Sequence, residues 1–235
     1  MNKHKDIDPI TLSYLNLQTP EENRRSIITF FIFFLDIIGL LPILGEPFSY
    51  AFVWPAVVPV ALLHIWAILY LVAPFQFEKS YYLFFGIYGI VNTYVYFLVI
   101  QKYLYVYAGL NGKVPFILGL LLLLGLLVFF QLFNHKLLYS GAYARLQRND
   151  HKFKLSPILT ASSIGYVIAH ILLSTFMTES LFVIIIITGV SILSILTAFF
   201  SISIHRYYFI LKHEESVKRV YPQFGLPKRE RGIKR

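Results

Sequence analysis

The stretch "FILGLLLLLGLLVFF", residues 116–130, runs for fifteen positions without one polar side chain. A helix that is apolar on every face belongs either in lipid or deep inside a large core. Composition decides between the two. The chain has 235 residues, of which 57% are hydrophobic and 14% charged. A soluble domain carries roughly 25% charged residues. A water-soluble core cannot absorb this much apolar surface, so the bilayer is the expected solvent. Residues 116–130 then read as a lipid-facing helix at the periphery of a bundle.

A hydrocarbon core of about 30 Å takes roughly 20 apolar residues per helix. Six segments qualify: about 26–44, 51–73, 81–100, 114–134, 157–176 and 181–204. The expected fold is all-α, a polytopic integral membrane protein built as a six-helix transmembrane bundle. Basic residues test the count. The N-terminal segment holds 4 Lys plus Arg, the 74–80 loop 1, the 135–156 loop 5 and the C-terminal tail 9. The intervening connections, 45–50, 101–113 and 177–180, hold 0, 2 and 0. On these boundaries none of the 21 basic residues lies inside a span. Lys and Arg are retained on the cytoplasmic side, so the alternation puts both termini in the cytoplasm of a multi-pass cell-membrane protein. Residues 1–25 form a cytoplasmic N-terminal segment, 26–204 the membrane domain and 205–235 a basic cytoplasmic tail. Residues 1–25 mix both signs of charge and lack a cleavage pattern, so the first span reads as a retained anchor. Tyr81, Tyr82, Tyr103, Tyr105, Tyr107, Tyr207 and Tyr208 cluster at span ends, where amphipathic rings favour the headgroup level.

Four polar side chains stand out inside the spans: Asp36, His64, Asn92 and His170. At 1.5 Å per residue, Asp36, His64 and Asn92 lie roughly 14–16 Å from the inner ends of three consecutive spans, and His170 about 20 Å from the inner face. A lone carboxylate at that depth costs at least ~2.5–3.5 kcal/mol unless it is protonated or paired. The short connection between the first two spans makes His64 the natural partner, Asn92 offers a further hydrogen bond, and the pair titrates as one unit. Two uses are open: an interhelical lock that fixes register, or a path for a proton, ion or substrate. Gly39 and Pro42 after Asp36, and Pro55 and Pro59 before His64, predict helix irregularity at this level.

Ala161, Gly165 and Ala169 recur every four residues in the fifth span, and the sixth offers Ser191, Ser194, Ala198 and Ser201. Small side chains let helices approach closely, so span five is expected on span six, with a homo-oligomer interface as the competing use. Thr19-Pro20-Glu21-Glu22 predicts a capped helix running into the first span. The residues before it either lie on the membrane surface or pack against the inner loops. The tail is expected to continue span six as a helix, to break at Pro222 and Pro227, and to end in a flexible basic segment. There Lys228, Arg229, Arg231, Lys234 and Arg235 would meet anionic lipid or an acidic partner.

Absences narrow the function. The chain has no cysteine, which excludes disulfides, thiolate metal sites and a cysteine nucleophile. No G-x-S-x-G, H-E-x-x-H, Walker or G-x-G-x-x-G motif occurs, and no His cluster has metal spacing. No cofactor and no nucleic acid is expected. Six spans with both termini inside resemble a permease subunit of an ABC-2 type exporter. The short "PFQFEKS" at 74–80 stands where that family has a longer coupling segment. The short polytopic chain with its lead-in "LSYLNLQTPEENRR", residues 12–25, is similar to small uncharacterised polytopic membrane proteins of Gram-positive bacteria. Some of these sit in secretion or toxin-immunity gene clusters, type VII secretion loci included. That resemblance implies a non-enzymatic inner-membrane accessory or immunity component that contacts another membrane protein, or a second copy of itself, through its helices. The alternative is a small transporter or permease subunit using the Asp36, His64 and Asn92 level.

Overall fold

Thr19 starts the first helix. Its hydroxyl accepts from the Glu22 amide at 3.3 Å, and the Glu22 carboxylate accepts from the Thr19 amide at 2.8 Å. This is the reciprocal capping box that the sequence predicts. Helix α1 (Pro20–Leu44) runs on from it without a break. The structure, a computed structural model, describes residue 14, residues 17–143, residue 145 and residues 178–231. After α1 come α2 (Tyr50–Val72), α3 (Tyr81–Tyr107), α4 (Val114–Tyr139), α5 (Glu179–Phe200), α6 (Ser203–Lys212) and α7 (Glu214–Val220). A short 3-10 turn at Lys228–Arg231 follows. The described residues contain no strand. α1, α2, α3, α4 and the α5–α6 run are long and apolar enough to cross a membrane. The expected fifth span, 157–176, with Ala161, Gly165, Ala169 and His170, lies outside the described residues, as do Lys234 and Arg235.

The irregularity expected near Gly39 and Pro42 takes another form. Phe30–Leu40 is π-helical, with α-helix on both sides, so the chain widens rather than unwinds. Wide turns of this kind persist where outside groups hold them. Here Tyr88 and Tyr96 of α3 donate their hydroxyls to the Phe30 and Phe34 carbonyls, each at 2.8 Å. α2 carries Pro55 and Pro59 inside an unbroken helix.

α3 is the hub, packed by α1, α2, α4, α5 and α6. Two glycines allow this. A Cβ on Gly86 would lie 2.5 Å from Ile204 Cγ1 and 2.7 Å from the Ile204 nitrogen. One on Gly89 would lie 2.8 Å from the Thr197 carbonyl and the Ser201 nitrogen. Backbone therefore touches backbone, which is how helices gain packing energy where lipid removes the hydrophobic driving force. Thr93 and Thr197 hydroxyls meet at 3.0 Å in the same contact. The sixth-span face is thus turned toward α3 and α4: Ala198 is buried, and Ser191 and Ser194 line a cavity with Gln101 and Leu123. α4 keeps nearly all its apolar surface outward. Gln131 ties it down, donating to the Ser201 carbonyl at 3.0 Å where α5 turns into α6.

One expectation is corrected. α3 runs past residue 100, and Lys102 lies in its last α-helical turn, fully buried. The ammonium donates to the carbonyls of Pro42, Ile43 and Gly45 at 2.9, 3.0 and 2.5 Å. These carbonyls end α1 and have no helical donor of their own, and the partial negative charge there favours a cation. A basic residue is therefore accommodated inside the helical region because another helix end solvates it.

The described parts of the N-terminal segment, the 74–80 loop, the end of α4 and the tail gather at one end of the bundle. The Gln18 amide donates to the Tyr82 hydroxyl at 3.1 Å. Tyr14 links the N-terminal segment to the ends of α4 and α6: Asn134 donates to its hydroxyl at 3.2 Å, and that hydroxyl lies 3.0 Å from His205 Nδ1. Burial pushes the Tyr14 hydroxyl up to about 12. At Tyr14 and Gln18 the N-terminal segment thus packs against the ends of α3, α4 and α6. The chain after α7 is a second correction, because it folds inward instead of trailing. Phe224 joins the core, and Arg231 is buried against Glu78 of the 74–80 loop.

Candidate functional site

Asp36 sits on the π-helical run of α1, and His64 in the middle of α2. His64 Nε2 lies 3.3 Å from both carboxylate oxygens of Asp36. Its Nδ1 lies 2.9 Å from the Val60 carbonyl, one turn back in the same helix. A carbonyl only accepts, so Nδ1 carries a hydrogen. The contact between Nε2 and the carboxylate then needs one more proton, placed on either partner. Imidazolium with carboxylate, or imidazole with carboxylic acid, both sum to zero charge. With that proton in place the pair carries no net charge.

Asn92 does not complete it. It lies on α3 between Tyr88 and Tyr96, and its Nδ2 donates to the Tyr88 hydroxyl at 3.3 Å. Phe31 stacks on Tyr88 with ring centroids 5.1 Å apart and meets the His64 ring edge-on at 5.0 Å. A phenyl ring therefore stands between His64 and the ladder of Tyr88, Asn92 and Tyr96. The two polar features share α1 but use different faces of it. The ladder is buried and holds the π-helical run to α3. The Asp36 and His64 side chains keep 36% and 42% of their surface open. Around them stand the exposed apolar side chains Ile32, Ile37, Ile65 and Ile68. The pair thus opens on the flank of the bundle.

Three cavities lie elsewhere. One of about 360 Å³ is bounded by Gln18, Glu78, Tyr221 and Arg231 at the basic end. One of about 810 Å³ lies at the opposite end, beside Tyr107 and Glu179. The third, about 310 Å³, lies between α3, α4 and α5. No group of three metal-ligating side chains occurs among the described residues.

The tail residues divide. Arg231 donates to both Glu78 oxygens and, through Nε, to the Leu226 carbonyl at 2.8 Å, with the Phe75 ring 5.0 Å away. Glu78 also accepts from the Gly225 amide at 2.7 Å. Lys228 lies over Phe75 at 5.4 Å, and Arg229 is exposed. Nearby, Glu214 accepts from Lys79 at 2.6 Å and Lys218 at 2.8 Å, and these two cations hold its carboxyl down to about 2.

The sequence reading missed Tyr88 and Tyr96. Their signal was present, since Tyr88, Asn92 and Tyr96 recur every four residues and share one helix face. It missed Gly86 and Gly89 as well, a small-residue pair in the most buried helix. The chain matches no protein-family model, no curated protein and no solved structure.

Proposed function

We propose that this chain is a non-enzymatic, multi-pass protein of a bacterial cell membrane that binds another integral membrane protein along its α1–α2 flank. Its role is that of an accessory or immunity component. One observation carries the reading: a paired Asp36 and His64, each more than a third open, on an otherwise apolar flank near mid-span. A pair serving the fold alone is enclosed, as Glu78–Arg231 is. A pair serving a path lines a cavity, and none of the three cavities described above borders Asp36 or His64. Polar atoms left toward hydrocarbon are costly, and a partner helix bearing a hydroxyl or amide satisfies them. The concentration of 19 of 21 basic residues on one set of connections supports both termini lying in the cytoplasm. Exposed Arg229 and Lys228 then face anionic headgroups.

Photocrosslinking in intact membranes tests this. A photoreactive residue replacing Ile37 or Ile68 should give one discrete protein adduct, lost in Asp36→Asn, and the same residue replacing Leu132 on α4 should give none. An adduct with a second copy of this chain would make the partner the protein itself. Equal labelling from both faces would sink the proposal. So would proton flux in proteoliposomes abolished by Asp36→Asn, which would favour a small transporter.

A further inference from the structure

The cavity of about 310 Å³ between α3, α4 and α5 has a floor and a mouth of different character. Phe97, Gln101, Leu123 and Ser194 form the floor, each more than nine-tenths buried. Leu122 and Ile195 form the rim, and both are exposed. The opening is therefore sideways, between α4 and α5, toward the surrounding bilayer.

Helix rise sets its depth. Gln101 near the end of α3 and Gly119 near the start of α4 lie roughly 7–9 Å from the end of the bundle away from the basic one, and Ser194, one turn from the Thr197 that meets Thr93, lies about 16 Å from it. The cavity thus runs from near the headgroup level to the bilayer middle. Its shallow end is polar. Gln101 Oε1 is buried and accepts no hydrogen bond. Buried amide oxygens are nearly always satisfied, so this one requires an explanation. Gly119 keeps the space around the amide, since a Cβ there would lie 2.4 Å from Gln101 Nε2 and 2.9 Å from Phe97 Cε2.

We infer that this cavity holds one acyl chain of a membrane lipid whose head carries a hydroxyl, with that hydroxyl on the Gln101 amide. The apolar walls take a chain, and the volume lies at the small end of the range for ligand sites. An amide presents a donor and an acceptor side by side, and a hydroxyl answers both. The lateral mouth admits a molecule already in the bilayer.

The test uses the full chain in mild detergent, titrated by native mass spectrometry. The probes are 1-monooleoylglycerol, its di-O-methyl ether and phosphatidylglycerol. At least one hydroxyl-bearing probe should bind roughly tenfold tighter than the ether, the worth of one hydrogen bond. Comparing the two hydroxyl probes tells a single-chain glyceride from a phospholipid. Gln101→Leu should remove the tenfold factor. Leu122→Trp, at the exposed mouth, should lower occupancy by every probe while leaving thermal unfolding of the lipid-free protein unchanged. Equal binding of ether and hydroxyl probes, or an advantage that survives Gln101→Leu, overturns the inference. If Gln101→Leu does not fold, undiminished occupancy in Leu122→Trp overturns it instead.

Discussion

Two ion pairs of this molecule are placed the wrong way round for solvent alone. Glu78 and Arg231 sit at the basic end, among the loops, yet their side chains are only 4% and 5% exposed. Asp36 and His64 sit midway along apolar helices, yet more than a third of each remains open. The first pair is enclosed because the chain after α7 folds over it, with the Gly225 amide and the Leu226 carbonyl filling the remaining hydrogen-bonding sites. The second is left open because α1 and α2 pack on α3 through their other faces. Burial near water marks Glu78–Arg231 as part of the fold. Exposure midway along apolar helices is the observation on which the proposed partner contact at Asp36–His64 rests.

The comparison breaks most sharply at Arg231. Arg231→Met leaves Glu78 buried without its cation, and such a loss costs about 3–5 kcal/mol. The melting temperature in detergent should fall, and Glu78→Gln in the same chain should restore part of it. An undiminished melting temperature would mean that the latch contributes nothing to the fold. Next in size is Tyr96→Phe, which removes the hydroxyl on the Phe34 carbonyl within the π-helical run. The carbonyl keeps its helical donor, so the loss is that of one hydrogen bond, about 0.5–1.5 kcal/mol, and thermal unfolding should report it, with Tyr88→Phe behaving alike. Asp36→Asn should be milder still, near the ~0.6 kcal/mol typical of membrane hydrogen bonds. It should nevertheless abolish the flank crosslink. A stability loss as large as that of Arg231→Met would make the pair a fold element and remove the contrast.

The smallest effect belongs to the exposed pair beside the buried one. Glu214 contributes through Lys79 and Lys218, and Glu214→Gln should cost less than about 1 kcal/mol. The sign follows from its lowered pKa. The contribution is present above the ordinary value of 4.5 and is lost as pH falls toward about 2. Unfolding measured across that window should show a shallow loss in the parent chain that is missing from the Glu214→Gln variant.

Much of this was legible in the residues. The helix start at Thr19 was readable because capping depends on four adjacent residues. The meeting of Asp36 and His64 was readable because a short connection and equal depth left few alternatives. The separation of Asn92 from that pair was not. Depth along an axis says nothing about rotation around it, and the Phe31 ring stands between the two features. Lys102 looked like a loop cation because its reason for being buried, the carbonyl end of α1, is almost sixty residues away in the chain. The basic tail looked free for the same reason, since its anchor Glu78 lies in a loop that carries no mark of burial.

By itself the sequence determined that the chain is helical and suited to lipid, which helices run long, where the first begins, and that a carboxylate and an imidazole lie at one level. Those properties follow from local composition and from the 1.5 Å rise of a helix. Only the tertiary structure decided which face each helix turns inward, and with it everything polar: the tyrosine ladder on α1, the caged Lys102, the latched Arg231 and the open Asp36–His64 flank. The physical reason is that in an apolar medium almost any face can be turned outward. What selects the inward face is close backbone contact at Gly86 and Gly89 and the hydrogen bonds that distant residues supply.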